Sequence, residues 1–443
     1  MRSQILPVIL GLNTATGFAK VSYDGAKAMR IPTGEDVTPL LDIINKLSLP
    51  TWKGIANGVP VANSHVDLVV PAEQVDEFNK LMGSMPVEVM HEDLGASIAD
   101  EGTMAAYAGE LRISDSLMAK LTKDYPAGTP NATWFNSYHA YADHLQFLTD
   151  LTTTYPTQSE IITSGTSVQG RVITGIHFWG SGGKGSKPAV VFHSTVHARE
   201  WITTMVTEYF IYNLLTNYGS STEIKGFVDK YDFYIFPVVN PDGFVYSQTT
   251  DRLWRKNRQT ISTNTCVGRD INRNWPLQWS LTGGASTDPC AEDYKGKVVR
   301  QAAGDAPENK ALLAYINNLA AGKGVQLYID IHSYSQLFMT PYGYSCTAVT
   351  ANNAVLQSLA KSTAAAIQAV YGTKYQYGPI CSTIYKVTGG SVDYVNDVTK
   401  SKYVFTIELR DTGSNGFVLP ASQILPSAVE TYAGLRNLLI NMV

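Results

Sequence analysis

The spacing of apolar positions changes character along the chain. In Thr38–Leu47 (TPLLDIINKL), Leu40, Leu41, Ile44 and Leu47 recur at steps of three and four. That spacing puts them on one face of a helix. His65–Val70 (HVDLVV), Pro86–Met90 and the stretch Lys20–Ile31 read as strands. After Pro71, Val75, Phe78 and Leu81 share a face, and a proline at the first helical position suits a helix opening there. Strand-helix-strand-helix-strand fits a compact two-layer α+β sandwich over residues 20–93.

From about residue 133 the pattern differs. Ala189–His193, Tyr234–Val239, Val325–Ile331 and Tyr403–Ile407 are largely apolar runs of strand length. Between them lie the longer helical stretches Trp201–Asn217, Glu308–Ala321 and Ala354–Tyr371. Strands apolar on both faces must be covered on both faces, so this part is predicted to be α/β. Its sheet is mixed, mostly parallel and twisted, with helices on both sides. Residues 94–124 read as a helical connector, closed by the breaker Tyr125-Pro126-Ala127-Gly128-Thr129-Pro130. Arg112, Lys120 and Lys123 lie in it, and exposed connectors are where proteases cut.

Composition narrows the classes. A chain of 443 residues can bury a large core without a metal or disulfide staple. Charged residues are only 16%, below the roughly 25% of typical soluble domains, which argues against a disordered or polyelectrolyte chain. A net charge of −4 excludes a whole-chain basic footprint for nucleic acid. The charge is uneven: residues 20–112 carry seven Lys/Arg against fourteen Asp/Glu, and the rest is slightly basic. Two parts of opposite balance can dock on each other.

Met1–Ala19 combines Arg2, the apolar run Ile5–Leu12 and the small residues Gly17 and Ala19. It reads as a signal peptide cleaved near Ala19; the alternative is a buried first strand. The run is shorter than the about 20 residues a membrane helix needs, so no membrane association is expected. Cys266, Cys290, Cys346 and Cys381 show no C-x-x-C spacing. In a secreted chain an even number suggests disulfides, with three pairings open; otherwise they are buried thiols. Asn131-Ala132-Thr133 is a candidate glycosylation site.

His197 and Glu200 stand three apart where an apolar strand runs into a helix. That spacing lets an imidazole and a carboxylate converge on one ion. H-x-x-E alone is usually coincidence. His332 ends the strand at 325–331, where open α/β sheets place their sites; singly it reads as a core histidine. Together, two histidines and one carboxylate are the donor set of a catalytic zinc, which keeps one position open. Glu408 ends another apolar strand and is a structural acid or a general base. Arg255 and Asn272-Arg273 lie in irregular, Trp-flanked stretches. Arginine suits bidentate recognition of a carboxylate, though each alone could be a solvated side chain.

VHAREW, LWRKNR, RDINRNW, IDIHSYSQ, IYKVTGGSVDY and IELRDTGSNGF together resemble, in order, the signature segments of the zinc metallocarboxypeptidase A family. The resemblance covers roughly residues 130–443, and residues 20–93 resemble the activation domain of the family's zymogens. It implies a signal peptide over 1–19, a small α+β antiparallel open-sandwich activation domain over 20–93, a helical connector with the cleavage site over 94–124, and a catalytic domain over 125–443. It implies one Zn2+ on His197, Glu200 and His332, with Asp270 orienting the first histidine. Glu408 matches the general acid/base and Arg255 the arginine that stabilises the oxyanion. Asn272 and Arg273 match the clamp on the substrate's terminal carboxylate, and Tyr385 the tyrosine that closes over it. Arg199 matches a secondary subsite residue, with Tyr334 and Phe417 lining the neighbouring subsite.

Such a clamp implies exopeptidase action, because an internal peptide bond leaves the buried guanidinium unpaired. Val392 stands where basic-specific members carry an acid. With Met339, Gly343, Ile380, Ile384, Val387 and Thr406 it implies an apolar pocket for aromatic or aliphatic C-terminal residues. The resemblance also implies bridges Cys266–Cys290 and Cys346–Cys381 and a cis peptide at Ser333–Tyr334. The implied protein is a secreted, monomeric zymogen, inhibited by its own propeptide, activated by an endoprotease, and acting on peptides and proteins with a free C-terminal carboxylate. A non-catalytic peptide-binding relative is the first alternative, but it requires loss of a ligand or of the base, and none is lost. An enzyme trimming another terminal group, such as a processed glutamate chain, is the second.

Overall fold

The structure is a computed structural model that describes residues 20–102, 104, 133–261, 265–296 and 303–442. The expected leader Met1–Ala19, the cleavage candidates Arg112, Lys120 and Lys123, and Asn131 lie outside the described residues.

The N-terminal unit runs β1 (Lys27–Pro32), α1 (Thr38–Leu47), β2 (Thr51–Lys53), β3 (Ile55–Ala56), β4 (Val59–Pro60), β5 (His65–Val70), α2 (Val75–Met82), β6 (Glu88–His91) and α3 (Leu94–Asp100). Four strands form an antiparallel sheet in the order β2-β5-β1-β6. Alternation along the strands sends Met29, Ile31, Val66 and Leu68 toward Leu40, Ile44, Phe78 and Met82 of the helices. The other face is not solvated: Ala28, Trp52 and Val69 pack against Leu253, Tyr334 and Phe417 of the second unit.

Several boundaries differ from the sequence reading. The first strand begins at Lys27, not Lys20, because a turn at Asp24-Gly25 breaks it; Gly25 has φ 68°, a conformation glycine adopts freely. Pro71 opens a short 3-10 turn, Ala72–Gln74, before the helix proper starts at Val75. The connector is helical over Leu94–Asp100, where the Asp93 side chain accepts from Ala96 N. The edge strand β2 and the β3–β4 hairpin were not foreseen. Runs of two or three residues carry no readable alternation.

The larger unit contains α4 (Tyr141–Thr154), β7 (Ser159–Thr166), β8 (Val172–Phe178), β9 (Ala189–Ser194), α5 (Trp201–Asn217), α6 (Thr222–Lys230), β10 (Asp232–Phe236), α7 (Pro241–Thr249), α8 (Pro307–Ala321), β11 (Val325–His332), β12 (Leu337–Thr340), α9 (Asn353–Tyr371), β13 (Gln376–Pro379), α10 (Ile380–Thr383), α11 (Ser391–Asp397), β14 (Tyr403–Glu408) and α12 (Ile424–Asn441). Its eight-stranded sheet has the order β13-β12-β14-β11-β9-β10-β8-β7. The central strands β10, β9, β11 and β14 are parallel, and most outer pairings are antiparallel. The strand expected over Tyr234–Val239 is Asp232–Phe236 instead.

Both faces of the sheet are covered. Val190, Phe192, Leu327, Ile329 and Phe405 join one core with α5, α9 and α12. Val191, Tyr328 and Val404 join the other with Leu312 and Ile316 of α8 and with Val392 and Val395 of α11. The carboxyl ends of the parallel strands open on one side, with His332 opposite Glu408 in register. Cys266 is bonded to Cys290 and Cys346 to Cys381. The Ser333–Tyr334 peptide is cis. Among the described residues no helix is long and apolar enough to cross a membrane.

The two units meet through mixed charges. Glu101 receives two hydrogen bonds from Arg252, both residues being buried, and the Arg252 guanidinium lies 3.7 Å over the Trp201 ring. Tyr23 OH donates to Asp251 (2.6 Å) and Arg30 to Thr412 O (2.7 Å). The acidic bias of the first unit therefore accounts for only part of the contact.

Candidate active site

The loop from β9 into α5 brings up the first two chemical groups. Thr195 turns the chain with φ 53°, and its hydroxyl lies 2.9 Å from Thr203 Oγ1 and donates to Pro237 O at 2.9 Å. Glu200 then stands immediately before the first turn of α5, where the helix dipole favours a carboxylate. His332 arrives from the end of β11. His197 Nδ1 lies 2.8 Å from Glu200 Oε1, His332 Nδ1 lies 3.1 Å from Glu200 Oε2, and the two Nδ1 atoms are 3.1 Å apart. All three donor atoms lie within 4.8 Å of one another and all three residues are buried.

Two imidazole nitrogens facing a carboxylate in a buried place fit a divalent cation. Burial pushes the Glu200 carboxyl up, but His197 and His332 outweigh it and hold the group well below its ordinary range. On the far side of His197, Nε2 meets Asp270 Oδ1 at 3.1 Å, and Asp270 Oδ2 accepts from Arg255 Nη2 at 2.7 Å. Burial opposes the charge on Asp270, and Arg255, His197 and Arg273 overcome it.

Glu408 ends β14 beside this cluster. Its Oε2 has no hydrogen-bond partner among the described residues. Burial raises its carboxyl above the ordinary value, opposed by Lys53 and reinforced by the charge of Glu200. A cavity of about 70 Å³ is lined by His197, Glu200, Arg255, Asn272, Arg273, His332, Tyr385, Glu408 and Phe417. Met339, Gly343, Ile380, Ile384, Val387, Val392 and Thr406 line the same cavity. A Cβ on Gly343 would come within 3.1 Å of Val387 O, so the bare glycine keeps the apolar end open. Asp393 also reaches this wall. Its carboxylate accepts from Gly343 N and Tyr344 N at 3.0 Å, and burial pushes its pKa up to about 7. Arg273 is buried and its Nε is unpartnered among the described residues. Asn272 Oδ1 accepts from Ser391 N at 2.9 Å.

A sequence profile of zinc carboxypeptidases matches residues 144–434. The chain belongs to the zinc carboxypeptidase family and is a metallocarboxypeptidase. A profile described as carboxypeptidase activation peptide matches residues 29–101. The carboxypeptidase is 48% identical over 436 residues to a metallocarboxypeptidase A-like protein of Trichophyton verrucosum, covering 98% of this chain and 97% of that one. It is 32% identical to carboxypeptidase A1 of Bos taurus, with the same coverage. The solved structure of thrombin activatable fibrinolysis inhibitor superimposes with a TM-score of 0.82 at 27% identity, over 95% of this chain and 99% of that one. Carboxypeptidase A from Helicoverpa armigera superimposes with a TM-score of 0.75 at 25% identity, over 95% and 98%.

In this carboxypeptidase the activation peptide lies over the site and implies inhibition by the propeptide. Arg199, Tyr334 and Phe417 sit at that contact rather than in the apolar end of the cavity. Trp52 meets the Phe417 ring edge-to-face at 5.5 Å, and its carbonyl accepts from Arg199 Nη2 at 3.2 Å. Tyr334 OH donates to Asp67 of β5. Lys53 of β2 donates to Tyr334 O and Ser335 Oγ, and its Nζ lies 3.8 Å from Glu408 Oε2. Sequence reading passed over Trp52, Lys53 and Asp67. Asp67 had a signal, a lone acid inside the apolar strand HVDLVV; Lys53, in a three-residue strand, had none.

Proposed function

We propose that the chain is a secreted, monomeric zymogen of an A-type carboxypeptidase that releases aromatic and aliphatic residues from the C-termini of peptides and proteins. The carrying observation is one cavity shared by the His-Glu-His cluster, Glu408 with no hydrogen bond to Oε2 among the described residues, the buried Arg273 and an apolar floor at Val392. His197, Glu200 and His332 hold a single Zn2+. Bound there, zinc supplies a Lewis acid that polarises the scissile carbonyl and acidifies water.

The chain's own groups do the rest. Arg273, with Asn272, pairs with the terminal carboxylate and so fixes which bond is presented; Tyr385 closes over it. Glu408 takes a proton from water and returns it to the leaving amine. Arg255, held by Asp270, faces the oxygen that gains charge. Arg199, Tyr334 and Phe417 receive the residues upstream once the activation peptide has left. An endoprotease cutting between Arg112 and Asp124, outside the described residues, triggers that departure.

Blocked dipeptides ending in Phe, Arg or Phe-amide test this reading after tryptic processing of the secreted protein. Phe is expected to be released about 100-fold faster than Arg, and the amide not at all, since a buried guanidinium without its anion costs several kcal/mol. Faster release of Arg, or cleavage of the amide, refutes it. Val392→Asp places a carboxylate on the floor, and it is expected to shift the Phe/Arg ratio toward Arg by about 10-fold or more. An unchanged ratio would move the specificity floor elsewhere.

Lys53 bears on the uncleaved chain. Its ammonium lies 3.8 Å from Glu408 Oε2, within reach of the group assigned as the base. Lys53→Ala is expected to raise Phe release by the intact zymogen about tenfold, equivalent to roughly 1.4 kcal/mol. The processed enzyme, which no longer carries residue 53, should be unaffected. Equal zymogen activities would remove Lys53 from the inhibitory contact.

A further inference from the structure

Asp330 lies in the middle of β11, the strand that delivers His332. Residues two apart share a strand face, so its side chain points the same way as His332. It is fully buried, in a place where an unpaired carboxylate is costly. Its partners do not account for it as a structural acid. Oδ1 has no hydrogen-bond partner among the described residues. Oδ2 accepts from the Ser391 hydroxyl and lies 3.1 Å from His332 Nε2.

The proton on that nitrogen decides the role. His332 turns Nδ1 toward Glu200 and His197. An imidazole that gives Nδ1 to a cation carries its proton on Nε2, and that proton needs an acceptor. Asn272 Nδ2 also lies 3.0 Å from Nε2. Its Oδ1 is already committed to Ser391 N, so toward Nε2 that amide presents only N–H groups. Asp330 Oδ2 is therefore the acceptor. Its distance equals the 3.1 Å between His197 Nε2 and Asp270 Oδ1.

We propose that Asp330 is a positioning residue for the metal site: tied by Ser391, it fixes the ring and tautomer of His332 as Asp270 does for His197. The inference rests on the zinc reading of His197, Glu200 and His332. Each zinc histidine then has its own buried carboxylate, which orients the ring and strengthens it as a ligand. Ser391 opens α11 one residue before Val392, so the same hydroxyl that holds Asp330 also joins His332 to the wall of the substrate cavity.

The test compares full-length wild type, Asp330→Asn and Ser391→Ala. Zinc content is measured first, then the rate of zinc release to an excess of chelator, then the visible spectrum of the cobalt-substituted proteins. Asp330→Asn is expected to release zinc about 10- to 100-fold faster, the range for loss of an outer-shell partner, and to shift the cobalt bands. Ser391→Ala is expected to do the same more weakly, about threefold or more. After processing, kcat of Asp330→Asn for a Phe substrate should fall while KM stays within about twofold, because the Asp330 carboxylate bonds Ser391 Oγ and faces His332, not Asn272 or Arg273. Release rates within twofold of wild type with an unshifted cobalt spectrum overturn the inference. If Asp330→Asn does not fold, Ser391→Ala decides by the same criteria. Wild type that takes up no zinc overturns the zinc reading and this inference with it; wild type that holds zinc beside indifferent variants overturns this inference alone.

Discussion

Removing the metal from the processed enzyme is expected to reduce release of Phe from a blocked dipeptide at least about 10⁴-fold, the scale set by losing a Lewis acid at the reacting carbonyl. One equivalent of Zn2+ should restore it. The donor set carries the expectation. Glu200 is buried between two imidazoles, with Arg255 no nearer than 4.0 Å. Without a cation the site must keep that carboxylate against two neutral rings or draw protons onto the rings; neither state arranges a reaction. Metal loss should also lower the thermal midpoint, since zinc at a thousand times its dissociation constant stabilises by about 4 kcal/mol. His197→Ala should reproduce the loss without rescue by stoichiometric zinc. Full activity after exhaustive chelation, confirmed by metal analysis, would refute the assignment of all three ligands at once.

Much of this site was legible because its parts end long regular elements. His332 and Glu408 close apolar strands, and in a parallel sheet such ends gather on one edge. Their register, His332 opposite Glu408, was not legible, since pairing between β11 and β14 depends on contacts between residues 76 apart. His197 and Glu200 were readable from local spacing; the turn at Thr195 that aims them was not. The helices Thr38–Leu47 and Trp201–Asn217 have the bounds the sequence predicts, although Ile43 rather than Leu41 completes the buried face of the first. The strands β2, β3 and β4 escaped because they are shorter than one alternation. Asp330 shows a different limit. It stood in plain view inside LYIDIH, but a charge in a strand does not say which neighbour it serves. Lys53 shows the hardest one: its partners Tyr334, Ser335 and Glu408 belong to another unit, and no local pattern marks a residue for a contact made only on docking.

Glu408→Gln carries the largest expected effect of any single substitution that spares the metal. Glutamine keeps the shape and the half-buried position but has no basic oxygen for a proton. The carboxylate of Glu408 is suited to moving a proton by its setting: burial raises it, Lys53 of the activation peptide opposes this, the charge of Glu200 raises it again, and Oε2 has no hydrogen-bond partner among the described residues. A positioned base contributes about 10² to 10⁴, and in the proposed mechanism one group serves both the water and the leaving amine, so kcat is expected to fall about 10⁴-fold. KM should stay within about threefold, because the clamp at Arg273 and the apolar floor are untouched. Zinc content should remain one equivalent, which separates this loss from that of a ligand. The intact zymogen gives an independent readout. There Lys53 loses the only carboxylate within 4.0 Å among the described residues and keeps its hydrogen bonds to Tyr334 O and Ser335 Oγ. The activation peptide of the variant should therefore dissociate more readily after cleavage, although the enzyme it uncovers is inactive. A variant with kcat within tenfold of wild type would transfer the proton to another group, and a variant inactive but with an unchanged grip on its propeptide would show that Lys53 is held by Tyr334 O and Ser335 Oγ alone.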